Sequence, residues 1–248
     1  MAELIHDDWE QVMTEVDGQP ASMVVNLNAA TVERMLARQQ LFYLTIPLLS
    51  PTDNGLPTVE ENEDLHAVLL ALVNPLAREH NAQLTGHATT DGARTFYFYL
   101  SKPDGLNDSL ERLLADFGQY TWKFQIEEEP TWETYFDFLR PTPEELQIIY
   151  NNRILHGMQE HGDQLTAPRR VDHWAYLPDE EKLAQFKADE LLSHFEFEGE
   201  EETDAGWRVQ FFRRESVQPN DIHRSTIELL RVAQGYGGHY DGWEAEGV

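Results

Sequence analysis

The stretch PNDIHRSTIELLRVAQGYGGHYDGWE, residues 219–244, predicts a helix followed by a short aromatic strand. Proline favours the first turn of a helix, and glycines favour its end. Apolar and small side chains fall on one face of this helix: Ile222, Thr226, Leu229, Leu230 and Ala233. That 3.6-residue period indicates a helix with one buried face. The residues from His239 to Glu244 then predict the last strand of a sheet.

The residues before this stretch predict a strand, a helix and a hairpin. The strand is Val171–Leu177, the helix opens at Pro178-Asp179-Glu180 with Ala184, Ala188, Leu191 and Phe195 inward, and the hairpin joins Phe195–Glu202 to Gly206–Arg213. Apolar residues alternate with polar ones along the second arm of the hairpin, which indicates one buried and one wet face. The resulting order, strand-helix-strand-strand-helix-strand, is that of a ferredoxin-like domain.

The N-terminal half repeats this order of elements. Its predicted elements are a strand Leu41–Pro47, a helix Val59–His80, a hairpin of Leu84–Thr90 and Thr95–Leu100, a helix capped by Asn107, and a strand Thr121–Glu127. Pro75 should kink or shorten the first of these helices. An extra hairpin, Asp8–Val16 with Ala21–Leu27, precedes the repeat. We therefore predict an α+β protein of two ferredoxin-like (βαββαβ) α/β sandwiches with antiparallel sheets.

Residues 131–165 separate the two repeats and are unusually aromatic at their start. The large apolar residues are Trp132, Tyr135, Phe136, Phe138 and Leu139, and a helix then runs to about Gln159. Because this segment is too apolar for a free tether, we expect it to pack the two domains together. The predicted boundaries are 1–140 for the N-terminal domain, 141–165 for the connector helix and 166–248 for the C-terminal domain.

Acidic residues dominate the charge. The 248 residues contain 45 Asp and Glu against 18 Lys and Arg, which gives a formal net charge of −27. Such a chain is repelled by nucleic-acid phosphates and anionic membranes and is attracted to a basic protein surface. The longest apolar run, residues 67–73, is too short to span a bilayer. We therefore expect a protein partner and no direct contact with nucleic acid or membrane, although solubility or a salt-adapted host is the simpler explanation of the charge.

The sequence contains no cysteine, which excludes disulfides and thiolate chemistry and fits a reducing compartment. Its acidic N-terminus lacks the apolar core of a signal peptide, so we expect a cytoplasmic protein. Motifs of hydrolases and phosphate-binding loops are missing, and the glycines at 235–238 follow a helix instead of preceding one. The sequence therefore predicts neither catalysis nor a cofactor.

Two motifs carry a family resemblance. Val171-Asp172-His173-Trp174 and Tyr240-Asp241-Gly242-Trp243 resemble the regulator of ribonuclease E activity B family, over residues 169–248. The N-terminal part resembles a bacterial domain of unknown function that is often fused ahead of that regulator, through Asp17-Gly18-x-Pro20, Gly55-Leu56-Pro57-Thr58-x-Glu60-Glu61 and Trp132-x-x-Tyr135. The resemblance implies a ferredoxin-like fold, no catalysis, and modulation of an endoribonuclease by direct contact.

Tyr240, Asp241 and Trp243 are the first candidates for a protein-binding site. On a regular strand, Tyr240 and Gly242 would face one side, and Asp241 and Trp243 the other. In one interpretation the aromatic residues pack in the interior and Gly242 permits a bulge. In the other, Tyr240 and Trp243 form the exposed anchor of an interface, because these residue types dominate binding hot spots.

Glu200, Glu201 and Glu202 are the second candidates. They lie in the segment 179–204, which holds eleven Asp and Glu against two Lys. In the usual 4-1-3-2 strand order these glutamates occupy an edge strand, where charge prevents unwanted pairing with other sheets. The alternative interpretation is an acidic ridge that docks an arginine-rich segment of a partner.

A metal site is an alternative hypothesis for His173, His239 and Asp241, because the side chains of His239 and Asp241 share one strand face and His173 belongs to the strand expected beside it. Such ligands suit zinc. In the other interpretation these are surface or hydrogen-bonded structural residues, and no metal is predicted. The functional prediction is a non-catalytic protein that binds and inhibits or modulates a ribonuclease of the ribonuclease E type. The alternatives are a ligand- or metal-binding domain pair, or an antagonist of a toxin nuclease.

Overall fold

The computed structural model describes residues 6–246, and the chain divides into two compact units, residues 1–140 and 141–248. Residues 1–5, on which the predicted lack of a signal peptide largely rests, lie outside the described part, as do residues 247 and 248. No helix between residues 6 and 246 combines the length and the apolar character that crossing a membrane requires.

The first unit is built around a six-stranded antiparallel sheet. Its elements are β1 Trp9–Val16, β2 Gln19–Asn26, α1 Val32–Ala37, β3 Gln40–Pro47, α2 Val59–His80, β4 Gln83–Thr90, β5 Ala93–Leu100, α3 Leu106–Leu113 and β6 Lys123–Glu128. The strand order is β1-β2-β4-β5-β3-β6. The last four strands have the ferredoxin-like arrangement, and the predicted extra hairpin extends the sheet beside β4. The predicted fold class is confirmed for this unit.

Both faces of this sheet are covered. On one face α2 and α3 bury Leu65, Leu72 and Leu110 against Phe42 and Phe96 of the sheet. On the other face lie Trp132, Tyr135 and Leu139, which belong to a segment with a turn of π-helix, Thr134–Leu139. The Trp132 ring stacks on Tyr99 with centroids 3.9 Å apart. The aromatic residues that we expected to join two domains therefore complete the core of the first unit.

Two details of the first unit differ from the sequence prediction. Helix α2 continues through Pro75 to His80, so the proline does not shorten it. Asn107 is not the cap of α3, because the helix begins at Leu106 and Gly105 occupies the capping position in a left-handed conformation. Tertiary packing decides both outcomes. Leu76, directly after Pro75, and Leu106, directly before Asn107, are both buried in the core, and each requires the helix at its position.

The second unit has one helix ahead of a ferredoxin-like domain. Its elements are α4 Pro143–Glu160, β7 Arg169–Leu177, α5 Glu180–Lys187, β8 Glu196–Thr203, β9 Gly206–Glu215, α6 Pro219–Gly235 and β10 His239–Ala245. The antiparallel sheet has the order β10-β7-β9-β8. This is the expected 4-1-3-2 order, so the fold class is confirmed here too and β8 lies at an edge. Helix α4, which the sequence assigned to a connector, packs against α6.

The inward face of α5 differs from the prediction. The helix ends at Lys187 and a short 3-10 turn, Glu190–His194, follows it. Leu183 and Phe186 are buried, whereas Ala184 and Ala188 are exposed. Burying Phe186 and Leu183 removes far more apolar surface from water than burying two alanines, so the larger side chains set the rotation of the helix.

The turn between α6 and β10 requires two glycines. Gly237 has a φ of +76°, in the left-handed region that favours glycine. A Cβ atom on Gly238 would lie 2.2 Å from the carbonyl oxygen of Tyr176 on β7. The backbone of this turn therefore touches the neighbouring strand directly.

Replacing Gly238 with alanine should destabilise the second unit by about 2 kcal/mol or more, because backbone must move to make room for the methyl group. Gly235→Ala is the matched control, since no atom lies within 4 Å of a Cβ at that position. The control should change stability by less than about 1 kcal/mol. Thermal unfolding of both variants measures the difference, and equal stabilities would contradict the close approach.

Candidate protein-binding surface

The C-terminal motif contains a β-bulge. Tyr240 pairs with Ala175 and Gly242 pairs with Trp174, so Asp241 is an extra residue in β10. Gly242 adopts a φ of +131°, which explains a glycine at this position. The bulge shifts the alternation of the strand by one residue. Tyr240 and Trp243 therefore lie on the same face, and the prediction that they face opposite sides is wrong.

Tyr240 belongs to a buried hydrogen-bond chain on the helix-covered face of the sheet. Its hydroxyl lies 2.7 Å from Nδ1 of His173, and Nε2 of His173 lies 2.8 Å from Oε1 of Glu215. Arg213 donates to the same carboxylate at 2.6 Å and to Ser225 at 2.9 Å. His173 is fully buried and stacks on the ring of Phe211. The chain thus ties β10, β7, β9 and α6 together.

The protonation of this chain follows from its partners. Burial lowers the pKa of His173 more strongly than the hydrogen bond to the Glu215 carboxylate raises it. For Glu215, burial would raise the pKa, but the hydrogen bonds of His173 and Arg213 outweigh it and lower the pKa. The Glu215 carboxylate can only accept, so the neutral imidazole of His173 donates to it from Nε2. Nδ1 of His173 then accepts a hydrogen bond from the Tyr240 hydroxyl. Burial raises the pKa of Tyr240 well above its ordinary value, which keeps that proton in place.

Trp243 belongs to a second buried cluster. Its indole Nε1 donates to Oδ1 of Asn151 at 2.7 Å, and Gln147 donates to the same oxygen at 2.9 Å. Nδ2 of Asn151 donates to Thr226 at 2.7 Å. Asn151 is completely buried, and its amide joins α4, α6 and β10. Nothing in the sequence pattern distinguishes Asn151 from other polar residues of a helix, because its role depends on tertiary packing.

These contacts favour the packing interpretation of the motif. Tyr240 and Trp243 are 7% and 5% exposed, so their rings form the interior and not the surface of the unit. Asp241 is exposed at the bulge. Whether any of these three residues touches a partner stays a prediction, and Asp241 is the one that the fold leaves accessible.

The three glutamates of β8 are exposed but do not form one patch. Glu200 pairs across the sheet with Val209 and reaches Lys187 of α5 on the helix-covered side. Glu201 pairs with Arg208 on the opposite, open side, where their side chains form an ion pair of 3.0 Å. The glutamates therefore line the edge of the sheet from both sides, as alternation along a strand requires. We call the strand Glu196–Thr203 with its exposed glutamates the acidic edge.

The face of the second sheet opposite α5 and α6, which we call the open face, carries aromatic and charged residues that the sequence analysis did not single out. Its half-buried residues on the two central strands are Asp172, Trp174, Tyr176, Arg208, Gln210 and Phe212. Beside them is an open groove of about 900 Å³, lined in part by Arg170, Arg214 and Glu244. The alternation of Trp174 and Tyr176 with buried residues was the signal that could have identified this face.

The candidate metal ligands are not brought together. His173 lies on the helix-covered face, whereas His239 stacks on Tyr176 of the open face with ring centroids 4.8 Å apart. The two histidines therefore have the sheet between them. Residues 6–246 contain no group of three or more His, Asp or Glu side chains arranged to hold a metal ion.

In the first unit the motif from Gly55 to Glu61 is structural. Gly55 approaches the backbone of Asp91 and Gly92, where a Cβ would lie 3.1 Å from Gly92 N. The Thr58 hydroxyl caps α2 by accepting from Glu61 N, and the Glu61 carboxylate accepts from the backbone amides of Leu49 and Ser50. These contacts hold the loop before α2 against the hairpin of β4 and β5.

The fold and these motifs define a two-domain α+β protein whose second domain is ferredoxin-like. The chain belongs to the family of unknown function DUF695, which matches residues 7–140. Residues 148–245 match the family Regulator of ribonuclease activity B. Both expected resemblances are confirmed, and the second match begins inside α4, near Asn151. The second match supports a regulatory role for the second unit.

Other comparisons add little. No curated protein matches the chain. A protein of unknown function from Galdieria sulphuraria is 14% identical, with 84% of this chain and 98% of that chain covered and a TM-score of 0.22. A candidate glycine cleavage system transcriptional repressor is 12% identical, with the same coverages and a TM-score of 0.24. Scores this low bear on neither the fold nor the function of this chain.

Replacing Tyr240 with phenylalanine should destabilise the second unit by about 1–3 kcal/mol, because it leaves the buried Nδ1 of His173 without a donor. The control is Tyr176→Phe on the open face, which should change stability by less than about 0.5 kcal/mol. Denaturant unfolding of the two variants measures both effects. Equal stabilities would show that the Tyr240 hydroxyl does not stabilise the fold.

The stability of the second unit should fall as the pH is lowered from 7 to 5. An unfolded histidine binds a proton near pH 6.5, at about its ordinary pKa. Folded His173, with its lowered pKa, does not, so acid favours the unfolded state. His223 also has a pKa lowered by burial and contributes in the same direction.

Denaturant unfolding at each pH measures this dependence, and His173→Phe should flatten it whatever its effect on stability at pH 7. His156→Gln is the control, because this side chain is 73% exposed. A pH dependence unchanged by His173→Phe would contradict the assignment of a neutral buried imidazole.

Proposed function

We propose that this protein is a non-catalytic regulator that binds a ribonuclease and modulates its activity by direct protein contact, with a ribonuclease E-type enzyme as the partner. The match of residues 148–245 to a family of ribonuclease regulators supports the class of function. The acidic edge supports the mode of action. It places exposed carboxylates along an edge strand at the rim of the matched domain.

The charge of the chain supports a basic partner. The net charge of −27 creates a long-range negative potential that attracts basic surfaces and accelerates their association. A nuclease must present basic groups where RNA phosphates bind. Covering those groups with the acidic edge, which carries Glu200, Glu201 and Glu202, would exclude RNA by occupying its site and by repelling it. Asp241 lies on β10, at the opposite edge of the same sheet, and would add to the repulsion from there.

The proposal places this action in the cytoplasm, in agreement with a chain free of cysteine. Catalysis is not part of it. The buried chain of Tyr240, His173 and Glu215 contains acid and base groups, but it lies in the interior and connects elements of the fold. This supports a structural role for the titratable groups of the matched domain.

Replacing Glu200, Glu201 and Glu202 with glutamine should slow association with the ribonuclease by about three- to tenfold at low salt, because electrostatic steering is lost. The difference should shrink at high salt as screening increases. The control variant changes Glu60, Glu63 and Asp64 of α2 to Gln, Gln and Asn, which removes the same charge from exposed positions of the first unit. Surface plasmon resonance across a salt series measures the rates, and equal slowing by both variants would rule out the acidic edge as the contact.

A further inference from the structure

Each aromatic ring on the open face is covered by a flat nitrogen-containing group of the same chain. The guanidinium carbon of Arg170 lies 3.7 Å from the ring centre of Phe212. That of Arg208 lies 5.8 Å from the ring centre of Trp174. As described above, His239 stacks on Tyr176. The open face is thus a row of aromatic sites that accept planar cations.

Carboxylates complete two of these sites. Nε of Arg170 donates to Oδ2 of Asp172 at 2.9 Å, and its NH2 group contacts Glu198. NH1 of Arg208 donates to Oε1 of Glu201 at 3.0 Å. An aromatic ring for the flat face of a guanidinium and a carboxylate for its N–H groups are the two features that recognise arginine. Each site would therefore suit an arginine from another chain equally well.

Arg208 is the weaker occupant. It lies farther from its ring than Arg170 does, and it has a single carboxylate partner. Its Nε atom is buried, and among residues 6–246 no group accepts a hydrogen bond from it. A buried donor without an acceptor carries an energetic penalty, so removing Arg208 from this site relieves that penalty.

The spacing of the two sites defines the shape of a ligand. Trp174 pairs with Gln210, and Phe212 pairs with Asp172, so the two rings lie in adjacent rows, two residues apart along the strands. The two rings are thus about 6.6 Å apart along the strands and, because they lie on neighbouring strands, about 4.8 Å apart across them. The long arginine side chain can span this sideways offset. An extended peptide places every second side chain on the same side, about 6.6 Å apart along its length. Arginines at alternate positions therefore match the two sites.

We propose that the open face binds an extended arginine-rich segment of the protein partner, and that Arg208 fills one of the arginine sites until an arginine of the partner replaces it. The negative charge of the chain favours such a segment. This inference rests on the proposed function for the identity of the partner, but the chemistry of the sites is tested without the ribonuclease.

The test uses the full chain and two synthetic peptides of ten residues, one of alternating Arg and Ser and one of alternating Lys and Ser. Calorimetry should show that the arginine peptide binds about tenfold more tightly, because lysine has the same charge but cannot stack flat on the rings. Trp174→Leu should abolish this preference. Thermal unfolding establishes that this variant is folded, and Phe212→Leu provides a second test of the same ring-dependent preference.

Removal of the internal occupant gives the sharper result. Arg208→Ala should raise the affinity for the arginine peptide several-fold, because the site is vacated. Arg224→Ala is the matched control, since Arg224 is exposed on α6 and also pairs with one carboxylate, Asp221, at 2.9 Å. Both variants should strengthen binding of the lysine peptide equally, through charge alone.

Equal affinities of the two peptides, no binding of either, or equal gains from Arg208→Ala and Arg224→Ala would each overturn the inference. In all three cases the proposed regulation would still stand if the ribonuclease associates through the acidic edge. Conversely, if the chain prefers the arginine peptide but binds no ribonuclease, the arginine sites are supported and the proposed function is refuted.

Discussion

The second unit depends on the bulge at Asp241 and Gly242. Without the extra residue, Tyr240 and Trp243 would lie on opposite faces of β10, and only one of them could reach the core. With it, Tyr240 reaches His173 and Trp243 reaches Asn151. One strand thereby fixes β7 and β9 through the first contact and α4 and α6 through the second. A buried polar group without its partner is costly, so both contacts specify one arrangement of these elements.

The burial of Tyr240 and Trp243 inside the second unit determines which of its surfaces remain for a partner. The helix-covered face of the sheet is filled by Tyr240, Trp243 and their neighbours, and its helices shield it from contact. The open face, the acidic edge and Asp241 at the opposite edge remain accessible. The first two adjoin one another at Glu201, which belongs to both. A partner bound along β8 can therefore extend its contact onto the open face without a gap between the two surfaces.

The sequence predicted the fold well where periodicity is regular. Alternating strands, the hairpins between them and the apolar face of α6 were enough for the order of elements and for both sheets. The sequence prediction failed where one residue changes the phase. The bulge places Tyr240 and Trp243 on the same face, and the rotation of α5 buries Leu183 instead of Ala184. Sequence patterns assume an unbroken period, and packing energy decides where that period breaks.

Arginines on the two central strands of the second sheet offset part of the negative charge of this domain. Five arginines lie on the adjacent strands β7 and β9: Arg169, Arg170, Arg208, Arg213 and Arg214. Most of them bind carboxylates or rings within the unit, as Arg169 does with the buried Asp163. Arg170 and Arg213 pair with Asp172 and Glu215 on the central strands. Arg170 and Arg208 also reach Glu198 and Glu201 at the edge. Positive charge inside the domain therefore offsets many carboxylates of this sheet, and the attraction for a basic partner comes from the acidic excess of the chain as a whole.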